Sequence, residues 1–310
     1  MNYLNTKNLA PLCLLWLICF SWPGESVWAQ ESGKKLRWKF EQGDKYDVEL
    51  TQQTGIKTAI QNRSQEIGNE MLLSMKWTIS KANDSDYVID QSIERIKLTI
   101  TAPSKGAVEI TKIDTASTDK PTEFGERLLE QVRPLIGSVF SVAMTDRGEI
   151  TNVEIPKPTM EALRAAPASM QLRELITEQG LKDLFGQSAI VFPEAAIESG
   201  ATWNTSNSVK NELATVTKKS TFTYNGTEEA DGLNFDSFSI DAEIESSEVS
   251  AENSIDNFTG SGKIKFANNA TTMLDSRISN AMTTMRKYRD QKIKTTVNTD
   301  VSMRVTKSDD

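Results

Sequence analysis

From Met71 to Ile79 the apolar residues fall on every second position: Met71, Leu73, Met75, Trp77 and Ile79, with Ser74, Lys76 and Thr78 between them. A period of two puts all five side chains on one face of an extended strand, so the chain must bury one side of a sheet and wet the other. The rhythm recurs. Trp38 and Phe40, then Tyr46, Val48 and Leu50, alternate with charged residues. Ala82-Asn83-Asp84-Ser85-Asp86 is a cluster of turn formers. After it come Tyr87, Ile89 and Ile93, followed on the opposite parity by Ile96, Leu98 and Ile100. A change of phase inside one apolar run predicts a β-bulge or bend between Ile93 and Ile96. Val108 and Ile110 continue the meander.

The middle of the chain changes period. Phe124, Leu128, Leu129 and Val132 stand at helical spacing, and Pro134 ends or kinks that helix. Phe140, Val142 and Met144 alternate again, Asp146-Arg147-Gly148 turns, and Ile150, Val153 and Ile155 return, which predicts a hairpin. Two helical pieces are expected next. Met160 and Leu163 mark the first; Leu172, Leu175, Ile176, Leu184 and Phe185 mark the second, with Ser169 as its N-cap and Gly186 as its stop. From Gly200 and Trp203 the alternation resumes. Phe222 and Tyr224 lead into Asn225-Gly226, a strong hairpin-turn signal. Leu233 and Phe235, then Phe238, Ile240, Ala242 and Ile244, predict a long strand with a phase slip, and Ile264, Phe266, Val297, Val301, Met303 and Val305 carry the pattern to the C-terminus. The expected fold is α+β and mostly antiparallel β: two curved β-rich halves, about 30–157 and 191–310, flank central helices at about 158–190, with the curvature of a half-barrel. No Gly/Ser- or Pro-rich linker separates the halves, so a single domain over 30–310 is expected.

Lys7 precedes a dense apolar run from Leu9 to Trp22, broken by Pro23 and Gly24, and Val27-Trp28-Ala29 offers small residues where a signal peptidase reads. This is the layout of a secretory signal peptide, 1–29, cut after Ala29. The run is about 14 residues, short of the roughly 20 that span a bilayer. Export to the periplasm, the cell surface or the medium is therefore expected. Both cysteines, Cys13 and Cys19, lie in this leader, and there is no histidine. From Gln30 onward the chain has no disulfide to staple it and must rest on a hydrophobic core. The usual ligands of zinc, copper, haem and iron–sulfur sites are missing, and so are the bases of Ser-His-Asp and Cys-His catalysis. Carboxylate chemistry remains, yet pairs such as Asp90 with Glu94 or Asp241 with Glu243 carry no supporting motif. No catalytic residue, metal ligand or cofactor is nominated.

A net charge of −8 at pH 7 argues against a nucleic-acid partner. Glu228, Glu229, Asp231, Asp236, Asp241, Glu243, Glu245, Glu248, Glu252 and Asp256 follow one another with no Lys or Arg between them, and Arg277, Arg286, Lys287, Arg289, Lys292 and Lys294 come later. The expectation is outward charges pairing across neighbouring strands. Methionines on or near predicted strands, Met71 and Met75 among them, suit irregular apolar ligands. Trp38, Met71, Met75, Trp77 and Phe238 are the candidate lining of a hydrophobic pocket.

Leu36-Arg37-Trp38-Lys39-Phe40 with Gly43-Asp44, the Asp146-Arg147-Gly148-Glu149-Ile150 hairpin, Phe192-Pro193 leading to Gly200 and Trp203, and Tyr224-Asn225-Gly226 occur together. In this set the chain resembles an uncharacterised family of exported bacterial proteins, domain of unknown function family 6263. The sequence departs from that pattern at Ala201, where an acidic residue is expected. The resemblance implies no catalytic residues. Three functions stay open at this point: an envelope protein that binds a lipid, another hydrophobic ligand or a protein partner; a structural or interaction protein with a filled core; and a carboxylate-based hydrolase.

Overall fold

The period-two runs form strands, with one exception at the start. The computed structural model describes residues 33–61, 63–104, 107–165, 182, 190–210, 214–230, 232–249, 253–268, 272–288 and 291–308. The expected leader lies outside them, and so does the expected helix over Leu172–Phe185 apart from Lys182, which is helical. Twelve strands are present among the described residues: β1 (Lys45–Ile60), β2 (Arg63–Ala82), β3 (Asp86–Ser104), β4 (Ala107–Asp114), β5 (Val139–Thr145), β6 (Ile150–Glu154), β7 (Thr202–Lys210), β8 (Ala214–Ala230), β9 (Leu233–Val249), β10 (Asn253–Phe266), β11 (Thr272–Tyr288) and β12 (Gln291–Lys307). They make one antiparallel sheet in the order β6-β5-β3-β2-β1-β12-β11-β10-β9-β8-β7, with β4 beside the far half of β3. The two halves are thus not separate sheets. They join where the first strand meets the last, and β6 and β7 remain unpaired edges.

Helix contributes less than an α+β label implies. Helix α1 (Glu123–Val132) starts at Thr122, whose hydroxyl accepts from Gly125 N–H at 3.1 Å, and a 3₁₀ turn at Arg133–Leu135 carries Pro134. Helix α2 (Lys157–Ala165) contains Met160 and Leu163. The phase change between Ile93 and Ile96 is a bulge: Met75 pairs with Ile93, and Ser74 with Arg95. Asn225-Gly226 is not a hairpin turn. It lies inside β8, where Tyr224 pairs with Phe238 and Gly226 with Ser237, leaving Asn225 as the extra residue. Gly226 has φ +100°, which a bulge accommodates as well as a turn does, and the chain reverses at Gly232 instead.

Leu36, Trp38 and Phe40 are the exception. They alternate as expected but form no strand. Their backbone runs inside the sheet beside residues 190–198 and bonds irregularly. Lys34 N–H donates to Ile197 O at 2.8 Å, Trp38 N–H to Asp146 O at 2.7 Å, and Phe192 N–H to Arg147 O at 2.8 Å. Trp38 shows how far the sheet curls. Its carbonyl accepts from the Tyr87 hydroxyl of β3 at 3.0 Å, and its ring meets Phe266 of β10 edge-on at 4.8 Å. Five strand spacings separate β3 from β10, roughly 24 Å in a flat sheet. One tryptophan touches both because the sheet wraps around it. The concave face at this end is the core: Trp38, Tyr46, Val48, Ile79, Ile89, Phe140, Phe192, Phe238, Phe266 and Val305 are all buried. Residues 33–310 form one compact unit.

Two predictions test this closed end. Gly148 has φ +93°, and a Cβ there would stand 2.4 Å from Ile190 O and 2.4 Å from Trp38 Nε1, the two ends of a buried hydrogen bond. Gly43 has the same φ with open space around it. Gly43→Ala should cost about 1 kcal/mol for its backbone alone, and Gly148→Ala at least about 2 kcal/mol more, measured by urea unfolding. The second concerns acid. Burial disfavours the Asp44 carboxylate, but Lys307 Nζ at 2.8 Å, Glu41 N–H and the Tyr46 hydroxyl outweigh it and hold the carboxyl below its usual range. Its stabilisation is complete above the ordinary aspartate value and is lost as pH falls through the lowered one. Asp44→Asn should flatten the loss of stability below about pH 4, seen as a weaker pH dependence of the melting temperature.

Candidate functional site

Because the strands keep register, the inward side chains line up in rows across the concave face. Nearest the closed end, Phe238, Ile264, Ser276, Met303, Leu50 and Leu73 form one row. The next reads Ile240, Gly262, Ile278, Val301, Gln52 and Met71. Four of the five sequence-nominated residues, Trp38, Met75, Trp77 and Phe238, are at most 5% exposed and packed into the core. Met71, one row further out, is partly buried against it. Met75, Trp77 and Phe238 therefore share the concave face with Met71 at the margin, and Trp38 packs onto that face from the inner segment.

Beyond Met71 the chemistry changes twice. The third row is Ser220, Ala242, Gly260, Asn280, Thr299, Thr54 and Asn69. It is polar or small throughout. Gln52 Nε2 donates to Thr54 Oγ1 at 3.2 Å, and the Thr54 and Thr299 hydroxyls stand 3.5 Å apart. Gly260 has no room for a side chain, since a Cβ would lie 2.5 Å from Asn280 Oδ1 and 2.8 Å from Ala242 Cβ. The Oδ1 atoms of Asn69 and Asn280 are buried without a hydrogen-bond partner. The other buried side-chain atoms in that condition, Trp77 Nε1, Gln91 Oε1 and Ser276 Oγ, also lie on the inner face, and Trp77 and Gln91 are register partners. A buried acceptor left unbonded costs about 1–3 kcal/mol. The fourth row is apolar again: Phe258, Met282, Val297 and Ile56 are half-buried, and Ile67 is 40% exposed.

The wall is split at this level. Strands β9 and β10 pair from Asp236↔Phe266 to Ala242↔Gly260, and no pair joins them beyond, although β9 continues to Val249 and β10 begins at Asn253. A groove of about 680 Å³ lies at the fork, reaching Asn280 and Gly260 and the outward side chains of Asp241, Glu243, Thr259, Ser261 and Asp300. Asp241 and Glu243 are exposed there, on the outer face, and Asp90 accepts from the Ser141 hydroxyl at 2.7 Å. Neither proposed carboxylate pair is enclosed in an apolar cleft. One strand from the fork, Lys218 of β8 interrupts the inward sequence Phe222, Ser220, Lys218, Val216, opposite Ile244. Burial pushes its amine below the usual lysine range.

Several charges elsewhere are paired. Lys34 Nζ reaches both Asp236 oxygens at 2.7 and 2.8 Å, and Asp236 also accepts from the Tyr224 hydroxyl at 2.8 Å. Two further members of the acidic run pair across strands, Glu243 with Lys219 at 3.7 Å and Glu228 with Lys265 at 3.2 Å, and Arg277 of the later basic residues stands by Asp275. Among the described residues no three His, Cys, Asp or Glu side chains gather as a metal site, and no helix is long and apolar enough to cross a membrane.

A family model matches residues 84–302, which run from the β2–β3 turn into β12. The chain belongs to the family of unknown function DUF6263. No curated protein matches the sequence significantly. Among solved structures, one described as lipid–protein interactions in lipovitellin aligns at 8% identity and a TM-score of 0.44, over 85% of this chain and 25% of that one. The COG4313 outer membrane channel from Pseudomonas putida F1 aligns at 7% identity and 0.22, over 87% and 97%. A Pseudomonas aeruginosa FadL homologue aligns at 6% identity and 0.22, over 85% and 90%. This DUF6263 chain thus spans about a quarter of the lipovitellin chain. At these scores the likeness reaches neither strand order nor ligand.

The polar row of this DUF6263 protein should be kept at the expense of stability. Asn69→Leu and Asn280→Leu each remove a buried unbonded acceptor and should stabilise the fold by about 1 kcal/mol, read as a rise in the urea midpoint with unchanged slope.

Proposed function

We propose that this protein is an exported, non-enzymatic protein of the cell envelope that holds a hydrophobic ligand on the outer half of its concave face. The observation that carries this reading is the fourth row. A sheet that served packing alone would bury its inward apolar residues along the whole strand, as it does at the closed end. Here Ile56, Val297, Met282 and Phe258 are half-buried and Ile67 is exposed, on the inner face, beyond a row of polar groups. An apolar surface of that kind marks a binding site. The aromatic and methionine floor, Trp38, Met75, Trp77 and Phe238 with Met71 at its margin, is the rigid core that holds the curl of the sheet beneath that surface. Export is supported by the leader-like residues 1–29. In this reading the protein needs no cofactor.

A second reading rests on a separate observation. Val108 and Ile110 of β4 are 66% and 54% exposed, and β4 pairs with β3 alone. An exposed apolar edge strand can recruit a protein partner through β-augmentation. It would leave the concave face without a ligand.

The two readings separate in native mass spectrometry of protein purified from its own host, followed by organic extraction. The ligand reading expects a stoichiometric lipid or acyl species. In reconstitution with a neutral apolar fluorophore such as N-phenyl-1-naphthylamine, Ile56→Asp and Met282→Asp should weaken binding at least tenfold, and Val108→Asp should leave it unchanged. A clean apo mass together with no fluorophore binding defeats the ligand reading.

A further inference from the structure

Lys218 is the one inward-facing charge that the described residues leave unmatched at the level of the apolar row. The inward rows are otherwise uncharged from the Asp236–Lys34 pair at the closed end to the strand tips, where Arg63, Glu109 and Arg286 sit. The register partners of Lys218 are Ile244 on β9 and Asn207 on β7, neither of them a charged residue. Among the described residues no carboxylate, hydroxyl or carbonyl bonds its Nζ. A long, flexible lysine at this position could swing its amine to water, yet burial is the cause that lowers its basicity. A half-buried ammonium withdrawn from water without a counter-ion is costly unless a bound anion neutralises it.

The surroundings define that anion. Lys218 lies one strand from the fork between β9 and β10, where backbone pairing stops at Ala242 and Gly260. Four Cα steps separate Val249 from Asn253, so the two strands can stand up to about 14 Å apart at that end, about three times the ordinary spacing. Beside the fork the apolar row begins, Ile244 and Phe258 and then Met282, Val297 and Ile56. A single positive charge thus stands at the head of an apolar strip. Arginine forks and lysine clusters mark sites for dianionic phosphates. One lone ammonium matches a monoanion.

We propose that Lys218 anchors the head group of a monocarboxylate amphiphile, a fatty-acid-like molecule whose chain lies along Ile244, Phe258, Met282, Val297 and Ile56. This rests on the reading of the concave face as a hydrophobic-ligand site and adds to it the chemical class of the ligand and the orientation in which it lies. The carboxylate pairs with Nζ near the fork, and the chain runs across the sheet above the polar row.

The test uses delipidated protein loaded with N-phenyl-1-naphthylamine and displaced by three ligands of one chain length: dodecanoate, dodecanol and dodecyltrimethylammonium. In the unaltered protein dodecanoate should displace the dye at least tenfold more tightly than dodecanol, with the cation weakest. Lys218→Met should abolish that preference, leave dodecanol binding unchanged within twofold, and raise the melting temperature by removing a half-buried unpaired charge. Lys218→Arg should retain the preference. Equal binding of acid and alcohol, or a preference that survives in Lys218→Met, overturns the head-group assignment while the ligand site stands. Failure of the dye and of all three ligands to bind overturns both.

Discussion

Everything at the closed end depends on Trp38. Its backbone is held by the β5–β6 turn, its indole N–H donates to Ile190 O at 3.3 Å, its carbonyl accepts from Tyr87, and its ring packs on Phe40, Phe192 and Phe266. One side chain thereby links β3, β10, the inner segment and residues 190–198. The sheet has no β6–β7 pairing to close it. Residues 190–198 supply the link instead: Phe192 bonds Arg147 beside β6, while the Trp203 indole of β7 donates to Val191 O at 2.8 Å. Closure is made by aromatic packing and a strap of main chain, so the curl is fixed at one end and the other end is left open.

That asymmetry explains why one face carries two kinds of surface. Where the strap lies against the sheet, inward residues are buried; two rows beyond Met71 the strap no longer covers them. The polar row between the two zones includes buried acceptors with no partner, which a chain selected for packing alone would replace. Stability is conceded where the concave face changes from core to candidate site, the usual balance between a rigid scaffold and a functional surface.

Much of this was legible in the sequence, because period two is a strong signal over strands of 14 to 20 residues. The bulge near Ile93 followed from the phase change, and α1 from its spacing and Pro134. Other features were not legible for identifiable reasons. Leu36, Trp38 and Phe40 alternate like a strand, but Trp38 bonds to a turn at Asp146, to a side chain at Tyr87 and to the Ile190 carbonyl 152 residues away, which no local pattern encodes. Asn225-Gly226 has the composition of a turn, and a bulge uses the same positive φ. The nominated Trp38, Met75, Trp77 and Phe238 are the most hydrophobic inward residues and for that reason sit deepest; a site open to solvent takes the next rows. Lys218 was overlooked because one lysine in a chain with 35 basic residues has no local signature. Its meaning comes from parity: it stands where its strand's rhythm calls for an apolar side chain.

Strand β1 pairs with β12 from Tyr46↔Lys307 to Ile60↔Ile293. The middle of the sheet is therefore its last part to be made, since the first strand waits for the final one. Until β12 arrives, β1 and β11 are both bare edges of unusual length, and the contacts that join them span most of the chain. Contacts of such separation are slow to form, and until they do the two long edges must be kept from pairing with other chains. Losing β12 would therefore do more than shorten the sheet: it would part the two halves and bare β1 and β11 together.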